Sequence, residues 1–256
     1  MKLNHSKLKS FFYGTLLGDS YIHNGIFYCK QISKDLMYLK YKLVKQYLPN
    51  AIIKISEHDE YTDKNGVHHQ KYYLLSITGS RYIKKLEKIF YPNGKKIYPD
   101  QAILKLDWFG FAIWYADDGT TILVQYNNLT KSARSRRIQI CTDNFTKDEH
   151  IKIKKDLETL GLKIKIIDRV RNEQLRIQIN TPNQDFICNI SEYFYNLFPS
   201  LLYKIDLGYR NESLLNRSYV SERYYNTYLK ISAHPEFKDR LKNRFIQDDI
   251  VESTNT

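Results

Sequence analysis

Tyr13-Gly14-Thr15-Leu16-Leu17-Gly18-Asp19 and Ala112-Ile113-Trp114-Tyr115-Ala116-Asp117-Asp118-Gly119 decide how this chain folds. Each is an apolar run with small residues four apart, ending in an acid. Residues four apart share a helix face. Gly14 with Gly18, and Ala112 with Ala116, therefore give two smooth faces on which helix backbones can approach closely. Asp19 and Asp118 then leave the helix ends side by side. Two neighbouring carboxylates repel, so a divalent cation between them is their natural partner. Oxygen donors without a Cys/His cluster favour Mg²⁺ or Mn²⁺ over zinc. An acid at a helix C-terminus opposes the dipole, and two such placements at matched positions point to function. Gly18 borders this centre. Asp117, about 100° round the helix from Asp118, reads as an acid supporting the metal site or facing solvent.

The repetition extends outward. Each half opens with one of these helices, near Ser6–Gly18 and Leu106–Asp117. Strand-like segments follow at Tyr21–Ile32, and at Thr121–Gln125 and Arg137–Thr142, the last two separated by a long loop, Tyr126–Arg136. Ser33-Lys34-Asp35 and Thr146-Lys147-Asp148-Glu149 are N-terminal signatures of a second helix. Leu36, Leu39, Leu43 and Tyr47 mark the buried face of the first, and Ile151, Lys155, Leu157 and Leu160 that of the second. Alternating strands match next: Ala51–Ser56 with Leu162–Ile167, and Tyr72–Thr78 with Gln174–Asn180. Helices Ser80–Phe90 and Asn183–Phe198 close the halves, before Lys96 and Lys204. Helix, two strands, helix, two strands, helix occurs twice, an α+β arrangement of two αββαββα halves. Residues 1–98 and 99–207 form the halves, and 208–256 a helical appendage with a frayed tail.

Composition narrows the function. The 256 residues are 42% hydrophobic, enough for a proper core. Forty Lys and Arg against 28 Asp and Glu leave a net charge of +12, which points to a polyanionic partner, most often nucleic acid. Three cysteines without a C-x-x-C pair fit a reducing compartment, with Cys29 and Cys141 as buried thiols. No apolar signal core or membrane-length apolar run is present, so no membrane partner is expected. There is no H-E-x-x-H, Walker-type glycine loop or serine nucleophile elbow. His58, His68 and His69 read as the tip of a solvated hairpin.

With its two acid-ended helices and the Lys96-Ile97-Tyr98-Pro99 stretch ahead of the second, the chain resembles the LAGLIDADG homing endonucleases in their single-chain, pseudo-symmetric form, from about Leu8 to Leu207. It departs at Ser20, where glycine is usual. The resemblance implies a monomer whose halves pack through the paired helices, with antiparallel sheets forming a saddle over double-stranded DNA. It implies metal-dependent cutting across the minor groove to leave short 3′ overhangs, at a long asymmetric site, and an origin in a group I intron. Asp19 and Asp118 would bind the metal, and Lys96 and Lys204 would border the active site. Gln31 and Gln139 are candidates to approach the scissile phosphates.

Strand alternation gives the reading face. Gln174, Arg176, Gln178 and Asn180 lie opposite the apolar residues of their strand, with Lys163, Lys165 and Arg169 on its partner. Arg137 and Gln139 alternate with Ile138 and Ile140, and Gln70, Tyr72, Ser76 and Thr78 with Leu75 and Ile77. Arginine and glutamine suit base edges in a major groove. The basic run with Lys131, Arg134, Arg136 and Arg137 suits phosphate. Two rivals stay open: an RNA maturase whose partner is intron RNA, and a DNA-binding regulator that does not cut. Both would tolerate loss of Asp19 and Asp118.

Overall fold

The computed structural model describes residues 5–64, 66–127, 132–169, 174–179, 184–205 and 222–235. The first half runs α1 (His5–Leu17), β1 (Ser20–His23), β2 (Ile26–Gln31), α2 (Lys34–Tyr47), β3 (Ile52–His58), a small hairpin of β4 (Tyr61–Thr62) and β5 (His68–His69), β6 (Tyr72–Thr78) and α3 (Arg81–Phe90). The second runs α4 (Trp108–Asp118), β7 (Gly119–Asn127), β8 (Ser132–Cys141), α5 (Lys147–Thr159), β9 (Ile164–Arg169), β10 (Gln174–Ile179) and α6 (Gln184–Leu197). The two αββαββα halves are therefore present, with β4–β5 added to the first. Helix α7 (Glu222–Ser232) packs on α6, where Arg223 meets Asp185 at 3.3 Å.

Each half has one four-stranded antiparallel sheet, ordered β1-β2-β6-β3 and β7-β8-β10-β9. The registers coincide. Ser20, Cys29, Leu75 and Ile55 face one another across the first sheet, as Gly119, Ile140, Ile177 and Ile166 do across the second. Both rows follow directly on Asp19 and Asp118. Inward side chains such as Phe27, Cys29, Leu75 and Ile77, or Ile138, Ile140, Ile177 and Ile179, are buried against the helices. Each such large apolar side chain contributes about 1.5–3 kcal/mol relative to exposure.

The helix starts follow the sequence signals. Ser33 Oγ accepts from Leu36 N, and Thr146 with Glu149 completes a capping box. Each cap region also braces the opposite half. Asp35 accepts from Ser200 N at 3.0 Å, and Glu149 accepts from Tyr98 N at 2.7 Å.

Several expectations need correction. Tyr21–Ile32 divides into the two strands β1 and β2, because Asn24 and Gly25 turn the chain at positive φ between them. Most of the expected loop 126–136 is strand: β7 reaches Asn127 and β8 starts at Ser132, so the basic run lies largely on β8. The core face of α2 is Leu36, Met37, Lys40 and Val44, with Leu39, Leu43 and Tyr47 at its margin. On α5 it is His150, Ile153, Asp156 and Leu157, while Ile151 is exposed. Buried Asp156 and His150 are satisfied by Tyr98 Oη and by Thr142 Oγ1. Cys29 is buried but Cys141 only partly so.

Candidate metal centre and nucleic-acid interface

Helices α1 and α4 run side by side in the same direction. At their start, Asp107 caps α4 by accepting from Gly110 N, and Ser10 Oγ of α1 donates to the same carboxylate. Midway, a Cβ on Gly14 would overlap the Gly110 carbonyl oxygen and stand 3.0 Å from its carbon. At the end, a Cβ on Gly18 would stand 2.6 Å from Asp117 Cβ. The line of closest approach on α4 thus passes through Gly110 and Asp117. Ala112 and Ala116, the small residues the spacing singled out, are buried, but two and six residues on from Gly110 they lie off this line.

Asp19 and Asp118 follow immediately. Burial pushes the Asp118 carboxyl well up, and the negative charges of Asp19 and then Asp117 push it further. A carboxylate raised by a neighbouring acid is the electrostatic setting in which a cation binds. Hard oxygen donors suit Mg²⁺ or Mn²⁺. Among the described residues no group of three or more His, Cys, Asp or Glu is placed to hold a metal.

Lys96 and Lys204 occupy equivalent places. Lys96 Nζ donates to the Gly18 carbonyl at 2.8 Å, and Lys204 Nζ to the Asp117 carbonyl at 2.7 Å and the Ala116 carbonyl at 2.6 Å. Each cation therefore sits at the C-terminal end of a signature helix, where the dipole favours it. Burial lowers both ammonium groups. Asp118 and Asp19 oppose this for Lys96, as Asp117 and Asp19 do for Lys204. A cleft of about 390 Å³ opens beside Asp19, lined by Ser20, Tyr21, Tyr91, Lys95, Lys96 and, from the second half, Asn144.

Asp117 does not face solvent, and Gln31 is turned inward onto it. Both oxygens of the buried Asp117 accept from Lys40 Nζ at 2.8 Å, and Gln31 Nε2 donates to Oδ1 at 2.8 Å. The sequence reading passed over Lys40. Its one signal was its spacing, four residues after Leu36 and four before Val44, which puts a lysine on the core stripe of α2. Gln139 is not the counterpart of Gln31. It pairs across β8–β10 with Gln178 on the opposite face, and its Oε1 is buried without a partner.

Among the described residues, no helix packs on that opposite face of either sheet. A row of Thr120, Gln139, Gln178 and Lys165 crosses the second sheet, and Tyr21, Tyr28, Ser76 and Lys54 form the equivalent row of the first. Tyr21, Tyr28 and Lys54, on β1, β2 and β3, were not singled out from the sequence. Tyr21 stacks on Tyr28 at 5.0 Å. Tyr72 is covered by Lys30 at 3.9 Å and by His58 at 4.6 Å. Thr78 shares this face, whereas Gln70 is exposed before β6 and Lys163 before β9. Arg176 lies 3.4 Å from Asp143. The side chains of Arg134, Arg136, Arg137, Arg169 and Gln174, on β8, β9 and β10, fall outside the described residues, as do all of Lys131 and Asn180.

A model described as the LAGLIDADG DNA endonuclease family matches residues 9–187. No curated protein matches the chain significantly. Among solved structures, the homing endonuclease I-WcaI bound to its DNA recognition sequence is similar with a TM-score of 0.66 at 19% identity, over 80% of this chain and 88% of that one. Mesophilic variants of the homing endonuclease I-DmoI are similar at a TM-score of 0.44 and 18% identity, over 72% of this chain and 95% of theirs. The likeness to I-WcaI is one of fold.

Proposed function

Because the chain belongs to the LAGLIDADG DNA endonuclease family, we propose that it is a site-specific, metal-dependent endonuclease of the homing type, encoded in a group I intron. It hydrolyses both strands of duplex DNA at a long asymmetric target and leaves short 3′ overhangs. The observation that carries this reading is the pairing of Asp19 and Asp118 at the ends of two closely packed helices, each followed directly by a sheet with a helix-free face.

Asp19 and Asp118 would hold Mg²⁺ or Mn²⁺. Bound there, the metal supplies an activated water and stabilises the charge on phosphorus and on the leaving oxygen. Lys96 and Lys204 keep a positive charge beside each acid and stabilise the scissile phosphates. The two halves, 1–98 and 99–207, each carry one half-site. The rows from Tyr21 to Lys54 and from Thr120 to Lys165 differ in every position except the terminal lysine, so the half-sites differ. Cleavage of a plasmid library of random inserts in Mg²⁺ tests the reading. Discrete double-strand cuts are expected, and binding without cutting would move the chain to the regulators.

A further inference from the structure

Positions 18 and 117 are equivalent in the repeat, each directly before a metal-site acid, yet they are built differently. Gly18 has no side chain. Asp117 lies against it with its carboxylate fully buried. Lys40, also fully buried, donates to both Asp117 oxygens and to Cys29 Sγ at 3.4 Å. All three of its donors are thereby used. Gln31 adds a third hydrogen bond to the carboxylate. Burial alone would lower the Lys40 ammonium, but the charge and hydrogen bond of Asp117, with Cys29, together outweigh it and hold the group above its ordinary value.

Among the described residues the second half has no counterpart of this network. Two residues beyond the matched pair Cys29 and Ile140 stand Gln31 and Thr142, and Thr142 bonds His150 instead. Seven residues beyond the matched caps Ser33 and Thr146 stand Lys40 and Ile153. The end of α1 is therefore held by Lys96 on the Gly18 carbonyl. The end of α4 is held by Lys204 on the Asp117 carbonyl and by Lys40 on the Asp117 side chain.

We propose that Lys40 is a positioning residue. Through Asp117 it fixes the last turn of α4, and so the carboxylate of Asp118, and it does this for one half of the site only. The two acids are then held unequally, and the two strands of the target are cut at unequal rates. The assignment rests on the nuclease reading above. A buried pair suits such a role better than one of stability, since apolar replacement of such pairs is often neutral or stabilising.

The test uses the full chain on a duplex recovered from the library, with Ca²⁺ as the probe of metal binding. Lys40→Met alone leaves a buried carboxylate unpaired and lowers the melting temperature. Lys40→Met combined with Asp117→Ala removes both charges and melts near the wild type. The double variant is expected to bind Ca²⁺ about 10–100-fold more weakly, as for other residues that orient metal ligands, and to change the ratio of the two strand-nicking rates in Mg²⁺. A merely structural pair would move neither. Wild-type Ca²⁺ affinity and strand ratio in the folded double variant would overturn the assignment while leaving the nuclease reading intact. A wild type that binds the duplex but never cuts it would remove both.

Discussion

Gly14 in α1 lies so close to Gly110 in α4 that a single added methyl would overlap the Gly110 carbonyl oxygen. Neighbouring backbone cannot yield as a flexible side chain could. Gly14→Ala should therefore push the helices apart and destabilise the protein by about 3 kcal/mol, at the upper end of ordinary overpacking. Urea denaturation checks the stability. The same displacement separates Asp19 from Asp118, so cleavage should fall more than DNA binding.

Lys96→Met and Lys204→Met each remove a cation bonded to the carbonyl just before Asp19 or Asp118, the acids proposed to hold the metal. Loss of one preorganised charge-stabilising group costs about 10²–10³ in rate. Each variant should bind target DNA with near-native affinity, measured in Ca²⁺, while single-turnover cleavage in Mg²⁺ falls by that factor.

On the helix-free sheet faces, amides and lysines should behave differently. Gln178→Ala should relax preference at one base pair, by about 1–3 kcal/mol. Lys54→Ala and Lys165→Ala should weaken binding evenly across sequences and reduce the slope of log affinity against log salt by about 0.9 each. Binding-site selection at two salt concentrations separates the two behaviours.

Glu149 carries a pH dependence with a definite sign. Partial burial pushes its carboxyl up, but hydrogen bonds from Thr146 N and Tyr98 N outweigh this and hold it below its ordinary value. A depressed carboxyl contributes stability that is full above its unfolded pKa and lost as pH falls through the folded one. Melting temperature followed from about pH 6 to pH 3 should fall less steeply for Glu149→Gln than for the wild type.

Much of this was legible because it is local. Ser33 and Thr146 announce their helices through cap chemistry that needs only neighbours, and period-two alternation marks the core side of β6 and β10. What failed was non-local or ambiguous. Gly14 and Gly18 do face α4, but their partners there, Gly110 and Asp117, are set by how two helices cross, which spacing within one helix does not fix. Lys40 meets Asp117 across 77 residues, so neither half of the chain reveals the pair. The run 126–136 is polar and basic and reads as a loop, yet pairing of β7 with β8 draws most of it into a hairpin.

The central claim is that Asp19 and Asp118 together perform metal-dependent hydrolysis of DNA. The direct measurement is cleavage and binding of one selected duplex by the wild type, Asp19→Asn and Asp118→Asn, in Mg²⁺ and in Ca²⁺. Loss of cutting in both variants, with native-like binding retained in Ca²⁺, is the predicted result. Undiminished cutting by either variant, or a wild type that binds the duplex and never cuts it in Mg²⁺, would contradict the account.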